Sequence, residues 1–181
     1  MKTNQILLTF LLPIINCFAS KTPNIILILA DDMGPGEPSH MGGLVPTPAL
    51  DRMAKEGMRF TDAHTTSSVC TPTRYGILTG RYNWRSRLKR GVLIKASSQA
   101  LMDPSRVNLP NFLQQNGYHT GIVGKWHLGA DWELLEKPPA GPDRKDDSWR
   151  VDYSKPFRNG PVDVGFDEAF FILSSLDMAP Y

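Results

Sequence analysis

Cys70 stands in a segment whose residue types could support nucleophilic chemistry, Cys70-Thr71-Pro72-Thr73-Arg74. Proline is tolerated in a helix only in the first turn, so Pro72 predicts that Cys70 lies at, or just before, a helix N-terminus. The positive end of the helix dipole would stabilise an anion there, and Arg74 falls on the same helical face. The pattern fits a modified residue, a cysteine nucleophile of low pKa or a buried structural cysteine.

Two adjacent carboxylates, Asp31 and Asp32, follow a short apolar run at residues 24–30. The run is rich in β-branched residues, which predicts a strand buried on both faces of a parallel sheet. Ligands bind at the carboxyl ends of such strands. Because neighbouring carboxylates repel each other, the pair is either half of a site for a hard divalent cation or two solvated acids at a turn.

Lys125 and His127 follow a second predicted strand, at residues 118–123. Two side chains that are two positions apart serve one pocket only if the chain turns between strand and pocket. Gly124 and Gly129 would permit that turn, since glycine adopts backbone conformations that other residues avoid. The sequence therefore predicts a second polar group at the same edge of the sheet.

The elements that would position these residues alternate between strand and helix. A helix is predicted from Pro48, capped by Thr47 and ended by Gly57, with a strand following at 59–61. A further helix includes Leu109 to Leu113 and ends at Asn116-Gly117, and a last strand covers 169–173. Residues 131–165 are rich in Pro, Gly and charge and predict a long surface loop. This order indicates an α/β domain with a mostly parallel sheet flanked by helices.

The first 19 residues have the pattern of a cleaved secretory signal peptide: Lys2, an apolar stretch and small residues around Ala19. The apolar stretch is too short for stable insertion across a bilayer. Cleavage would remove Cys17 and leave Cys70 as the only thiol, which points to a free thiol, an intermolecular bridge or a modified residue. We expect an exported protein, in a periplasm, the medium or a lysosome.

The chain carries 20 Lys and Arg against 18 Asp and Glu, a formal net charge of +2. Such balance gives no reason to expect nucleic acid or an anionic membrane as a partner, so an anion site would have to be local. Residues 81–90 form one basic stretch with two aromatic residues. The stretch predicts either a solvated loop, in which the aliphatic parts of Arg side chains lie on aromatic rings, or an anion-binding surface for a polyanionic substrate.

Cys-x-Pro-Thr-Arg at 70–74, followed by Thr79-Gly80, resembles the first signature of the type I sulfatases. The run Gly-Tyr-His-Thr-Gly-Ile-Val-Gly-Lys-Trp-His-Leu-Gly at 117–129 resembles the second, and Asp31-Asp32 stands upstream of both. The resemblance covers roughly residues 22–180. It implies an alkaline-phosphatase-like fold and the hydrolysis of sulfate esters, possibly on sulfated sugars.

The resemblance also implies a cofactor chemistry. A maturation enzyme, the formylglycine-generating enzyme or an equivalent, would oxidise Cys70 to formylglycine. Asp31, Asp32 and the modified residue 70 would bind Ca²⁺, with Mg²⁺ as the second choice. Hydrated formylglycine has two hydroxyls on one carbon, so that one can attack sulfur and the other can later expel sulfate by re-forming the aldehyde.

Four more side chains receive roles from the resemblance. Arg74 would hold the hydrated residue 70, Lys125 would bridge it to a sulfate oxygen, and His127 would bind it or help to deprotonate it. Ser175 corresponds to a sulfate-contacting serine. Three histidines match no catalytic position and are expected to be structural or exposed, with His119 pointing into packing inside its strand: His40, His64 and His119.

Sulfatases continue with a further Asp-Asn pair for the metal, another lysine and a second histidine, which have no counterpart in residues 1–181. Residues 22–181 are therefore expected to be the N-terminal part of a sulfatase catalytic domain. An inactive truncated product that binds sulfated ligands weakly is the alternative. A phosphate or phosphonate ester hydrolase of the same superfamily is a lesser one.

Overall fold

The structure is a computed structural model that describes residues 22–137, 139 and 147–175. It divides into two compact units, Met1–Pro35 and Gly36–Tyr181. The predicted signal peptide at 1–19 lies outside the described residues. Within the described part of the chain, none of the helices has the length and apolar character needed to cross a bilayer.

In the N-terminal unit, the apolar run at 24–30 forms no strand, and its side chains are exposed. The prediction of a buried strand there is wrong for this structure. An apolar, β-branched composition indicates the environment that a segment would suit, whereas a strand exists only where a second strand takes up its backbone hydrogen bonds. Asp31 and Asp32 follow this exposed run in a bend.

The described residues of the C-terminal unit form a two-stranded parallel sheet, and its parallel pairing agrees with the predicted architecture. Strand β1 is Gly121–Lys125 and strand β2 is Glu168–Ile172, with Gly121 opposite Glu168 and Lys125 opposite Ile172. β1 begins later than the predicted 118–123, because Tyr118 N–H still donates to the carbonyl of Leu113 at 3.1 Å and closes the preceding helix.

Within the residues that the structure describes, three α-helices accompany the sheet, and their positions confirm the local sequence signals. The helices are α1, Pro48–Glu56; α2, Cys70–Thr79; and α3, Leu109–Gln115. Short 3₁₀ helices cover Ser39–Met41, Asn83–Arg85 and Ser148–Arg150. Gly57 ends α1 as predicted, but the strand expected at 59–61 does not form. Among the described residues, none pairs with this segment as a strand requires.

The core of this unit lies on one face of the sheet. Six buried side chains form it: Tyr75, Leu101, Met102, Trp126, Leu128 and Val164. Ile122 of β1 and Phe171 of β2 pack against them. On the opposite face the paired residues Val123 and Phe170 are 81% and 82% exposed. The sheet therefore fixes the carboxyl end of β1 against the core from one side.

The described residues between 131 and 165 form the surface loop that composition predicted. Two isolated antiparallel bridges, Asp131 with Arg158 and Leu134 with Val151, close it on itself. Trp132 contacts Tyr153 and Phe157 through tilted and edge-on ring packing. Apolar ring contacts of this kind give the loop a small packed centre of its own.

Candidate active site

Cys70 is the first residue of α2, which confirms its predicted position at a helix N-terminus. Val69 before it is extended, and its carbonyl accepts the first helical hydrogen bond from Thr73 N–H at 3.2 Å. The thiol is free and half-buried, while Thr71 and Pro72 behind it are buried. The side chain at position 70 is thus accessible on a rigid first turn whose amide dipoles favour an anion.

Arg74, one turn further along α2, connects the helix to the end of β1. Its Nη1 donates to the backbone carbonyl of Lys125 at 2.5 Å. A charged donor gives a stronger hydrogen bond than a neutral one. The bond holds the Cys70 turn and the Lys125 backbone in one arrangement, so the guanidinium has a positioning contact that the sequence did not predict.

His127 is buried and sits in a backbone conformation that most residues avoid. Its φ is 54°, a left-handed value that costs a non-glycine residue roughly 1–2 kcal/mol. Two hydrogen bonds offset this: His127 N–H donates to the carbonyl of Leu173, and Nε2 donates to that of Leu93 at 2.8 Å. Because a carbonyl only accepts, the proton lies on Nε2, and Nδ1 is the basic nitrogen of the neutral ring.

Leu93 joins the two halves of the site through its backbone. Its carbonyl accepts a hydrogen bond from His127 Nε2, and its N–H donates to Thr71 Oγ1 at 3.3 Å. His127 is thereby linked through one residue to the neighbour of Cys70. The sequence carries no signal for this role, because Leu93 acts through backbone atoms that every residue type shares.

Two glycines with positive φ stand on either side of Lys125, Trp126 and His127: Gly124 has φ 106° and Gly129 has φ 72°. Gly124 and Lys125 still belong to β1, so the strand extends beyond the predicted 118–123 and the turn predicted before Lys125 does not form. The Gly129 carbonyl accepts from Trp126 Nε1 at 2.8 Å, which ties the buried indole to the end of the segment. Lys125 is half-buried, whereas Trp126 and His127 are both buried.

The pairing of the two strands continues past their ends and brings β2's following residues beside His127. Trp126 N–H donates to Ile172 and His127 N–H to Leu173, both at 2.9 Å. Ser174 is buried and Ser175 is half-buried. Ser175 therefore lies two residues beyond the His127 partner, and its contact with sulfate stays a prediction.

Asp31 and Asp32 belong to the N-terminal unit and are exposed. Asp32 has a left-handed φ of 59°, a conformation that aspartate tolerates better than most residues. Within each unit, the described residues contain no group of three or more His, Cys, Asp or Glu side chains that could hold a metal ion. The metal role of Asp31, Asp32 and Cys70 stays a prediction.

His119 is exposed, so the prediction that it points into packing is wrong. It precedes β1, and its ring bridges two acidic residues: Nε2 is 3.1 Å from Glu168 Oε1 and Nδ1 is 3.5 Å from Asp167 Oδ2. His64 is exposed beside Asp62, and His40 contacts Asp51 at 3.1 Å, as expected for exposed or structural residues.

Asp167 is a positioning residue that sequence reasoning missed. Its Oδ2 accepts from Thr120 N–H at 2.7 Å and its Oδ1 from Gln114 Nε2 at 2.7 Å. The Thr120 backbone donor, followed by the Thr120 hydroxyl and Gln114, holds the pKa of this carboxyl below its ordinary value. The carboxylate joins the residues that precede β1 and β2, at the end of the sheet opposite Lys125.

A family model described as Sulfatase matches residues 23–162. The N-acetylgalactosamine-6-O-sulfatase of Bacteroides thetaiotaomicron is 37% identical over 162 residues, which cover 89% of this chain and 28% of that protein. Arylsulfatase G of Homo sapiens is 43% identical over 126 residues, covering 66% of this chain and 24% of that protein. The chain belongs to the sulfatase family.

Solved structures agree with this assignment. A 6S-sulfatase structure from work on glycosaminoglycan metabolism by Bacteroides thetaiotaomicron matches with a TM-score of 0.73 and 37% identity, covering 89% of this chain and 30% of that one. Ps i-CgsB in complex with k-i-k-neocarrahexaose matches at 0.62 and 27%, covering 84% and 28%. The predicted alkaline-phosphatase-like α/β fold is confirmed, and the chain spans less than a third of the length of these relatives.

Proposed function

We propose that the protein hydrolyses sulfate esters, with residue 70 as the nucleophile after conversion of its cysteine to formylglycine. The observation that carries the proposal is the assembly around α2: Cys70 opens the helix, and Arg74 binds the carbonyl of Lys125. The membership of the sulfatase family supports the same reaction class. Formylglycine, when formed, supplies a hydrate with one hydroxyl to attack sulfur and one to expel sulfate.

The cations of the site would offset the negative charge that builds up on a sulfate ester under attack. Arg74 is fixed by its bond to the Lys125 carbonyl, so its guanidinium is oriented before substrate binds. Lys125 ends β1, next to that fixed carbonyl, and supplies a second positive charge. Charges and donors that are oriented in advance stabilise a transition state without reorganisation cost.

His127 is suited to accept a proton at Nδ1. Its Nε2 proton is committed to the Leu93 carbonyl at 2.8 Å, which fixes both the tautomer and the ring orientation. A neutral imidazole held in this way can take a proton from a hydroxyl of residue 70 when sulfate is expelled. Ser175 would add a hydrogen bond to a sulfate oxygen.

A divalent cation fits the chemistry of Asp31 and Asp32, which are adjacent and offer only carboxylate oxygens. Hard cations prefer such ligands, and Ca²⁺ accepts an irregular oxygen set more readily than Mg²⁺. When bound, the ion would supply positive charge to a sulfate oxygen. Asp31, Asp32 and residue 70 would hold it, with Ca²⁺ as the proposed ion.

The substrate class that we propose is a sulfated sugar, supported by the name of the N-acetylgalactosamine-6-O-sulfatase relative. The maturation partner would be a formylglycine-generating enzyme. Export by the signal peptide would place the protein in a periplasm, outside the cell or in a lysosome.

Mass spectrometry of the peptide that contains residue 70 tests the proposal, after expression of the protein with a formylglycine-generating enzyme. The expected peptide has lost sulfur and carries an aldehyde, and Cys70→Ala serves as the unmodified control. An unmodified thiol in the wild-type peptide contradicts the proposal.

Turnover separates the remaining possibilities. An aryl sulfate should be cleaved faster than the matching aryl phosphate, and Cys70→Ala should abolish cleavage. Faster cleavage of the phosphate would indicate a phosphate ester hydrolase instead. Complete modification without turnover of either ester would indicate the inactive, ligand-binding alternative.

A further inference from the structure

Although the chain is nearly neutral in total, one long segment of it is basic. Residues 63–102 contain seven of the 20 Lys and Arg and none of the 18 Asp and Glu. Five of the seven lie in residues 81–90, which we call the aromatic–basic loop. Charges of one sign that are concentrated in one segment create a local field that attracts anions.

Two aromatic rings stand in the middle of this loop. Tyr82 and Trp84 stack on each other with centroids 4.0 Å apart and planes inclined by 15°. They remain 47% and 51% exposed. Large aromatic side chains usually become buried, so a stacked pair left open to solvent is a surface suited to a ligand with a flat apolar face.

The loop is held in a defined shape by hydrogen bonds. The buried Asn83 donates from Nδ2 to the Leu88 carbonyl at 2.9 Å, and Ser86 Oγ donates to the Asn83 carbonyl at 2.6 Å. Leu88 N–H in turn donates to Ser86 Oγ at 3.1 Å. A surface that is ordered before binding loses less conformational entropy when a ligand arrives.

The cations of the loop are not neutralised by carboxylates. Arg87 donates to the carbonyl of Gln99 and Lys89 to that of Trp84, so both keep their net charge. Arg81, Arg85 and Arg90 are exposed and form no ion pair with any residue that the structure describes. Guanidinium groups bind sulfate-like oxyanions through two parallel hydrogen bonds.

The start of the loop lies at the opposite end of α2 from Cys70. The helix ends at Thr79, and its C-cap Gly80 has φ 64°. Ten helical residues rise by about 15 Å. Arg81, Tyr82 and Trp84 are therefore separate from the proposed ester site, yet joined to it by one rigid helix.

We propose that the aromatic–basic loop binds a sulfated polysaccharide at sugar units other than the one whose ester is cleaved. The inference rests on the proposed function. A sulfated sugar chain offers both required groups in each repeat: a sugar face that can stack on Tyr82 and Trp84, and sulfate oxygens for Arg81, Arg85 and Arg90. Nucleic acid is the less suited partner, because the chain as a whole is nearly neutral, with a formal net charge of +2.

Calorimetric binding of chondroitin 6-sulfate to the whole protein tests the proposal, with the chemically desulfated chain and a DNA duplex as comparison ligands. The test variants are Arg81→Gln/Arg85→Gln and Trp84→Ala. The matched control is Arg52→Gln/Lys55→Gln, which removes two exposed cations from α1. Turnover of an aryl sulfate is measured on every variant.

We expect each test variant to weaken chondroitin 6-sulfate binding by about tenfold, with the control unchanged. Aryl sulfate turnover should stay the same, because the small ester does not reach the loop. Desulfated chain and DNA should bind more weakly than the sulfated chain.

Unchanged binding in the double arginine variant would overturn the inference. DNA binding as tight as that of the polysaccharide, with no effect of Trp84→Ala, would also overturn it, since attraction by charge alone would then suffice. Absence of aryl sulfate turnover by the wild-type protein would contradict the proposed function instead. Polysaccharide binding can still be measured in that case, because calorimetry needs no turnover, so the two failures are distinguishable.

Discussion

The segment that follows β1 and contains His127 depends on Gly129 for two separable reasons, which a pair of substitutions can resolve. Gly129 and Gly117 have similar left-handed φ values, 72° and 80°. A Cβ at Gly117 would meet no atom within 4 Å. A Cβ at Gly129 would overlap the Gln99 carbonyl oxygen and lie 2.7 Å from that of Ser98. Gly117→Ala therefore reports backbone strain alone, and Gly129→Ala reports strain plus steric overlap.

The magnitudes follow from these contacts. An alanine in the left-handed region costs about 1–2 kcal/mol, and reduced entropy of the unfolded chain returns about 0.4–1 kcal/mol. We expect Gly117→Ala to lower the free energy of unfolding by about 1 kcal/mol. Gly129→Ala must also displace residues 98–99, whose Ser98 carbonyl accepts from Ala130 N–H at 3.1 Å. Overpacking adds about 1–3 kcal/mol, for a total of roughly 2–4 kcal/mol.

Thermal unfolding measures the difference. For a chain of this size, 1 kcal/mol corresponds to a change in Tm of about 2–4 °C, so Gly129→Ala should unfold roughly 4–16 °C below the wild type. Gly117→Ala should lose only about 2–4 °C. Equal losses for the two variants would refute the reasoning, because steric overlap at Gly129 would then contribute nothing. Under the proposed function, Gly129→Ala should also reduce sulfate-ester turnover, whereas Gly117→Ala should leave it unchanged.

Three further predictions concern single contacts. Arg74→Lys removes the guanidinium bond to the Lys125 carbonyl, and we expect kcat for an aryl sulfate to fall by about 100-fold or more; activity within a few-fold of wild type would contradict this role. Trp126→Phe leaves the buried Gly129 carbonyl without its indole donor, and we expect the free energy of unfolding, measured with denaturant, to fall by about 1–3 kcal/mol. A decrease of less than about 0.5 kcal/mol would show that the bond is dispensable. Asp167→Asn should lower Tm at neutral pH. The folded pKa of Asp167 lies below its ordinary value of 3.8. The contribution of the carboxylate to the free energy of unfolding is therefore complete above that value and is lost as pH falls through the folded pKa. The Tm gap to the wild type should therefore narrow in acid, and a gap independent of pH would exclude the carboxylate charge as its cause.

Local sequence signals were sufficient where neighbouring residues decide the structure. Pro48 and Gly57 bound α1, and Pro72 places Cys70 at the start of α2, because proline geometry and glycine freedom act within one helical turn. The start of β1 was predicted too early. Thr120 before β1 binds Asp167, 47 residues away, and no local pattern reports such a partner.

The exposed segment at 24–30 also shows that local patterns do not report contacts with distant residues. Its composition suits a buried strand, yet strand formation requires a partner that composition does not specify. His119 likewise was assigned to packing from a strand boundary that the structure moves to Gly121. Both errors come from contacts between residues that are distant in the chain.

The sequence by itself determined which chemical groups are present and that Cys70 opens a helix, since residue types and helix signals are local properties. It also predicted the family, through two motifs, and the comparisons confirm that membership. Only the tertiary structure decided that Arg74 binds the carbonyl of Lys125 and that Leu93 selects the Nε2 tautomer of His127. Backbone carbonyls are the same in every residue, so their use as orienting acceptors becomes visible only once the chain has folded.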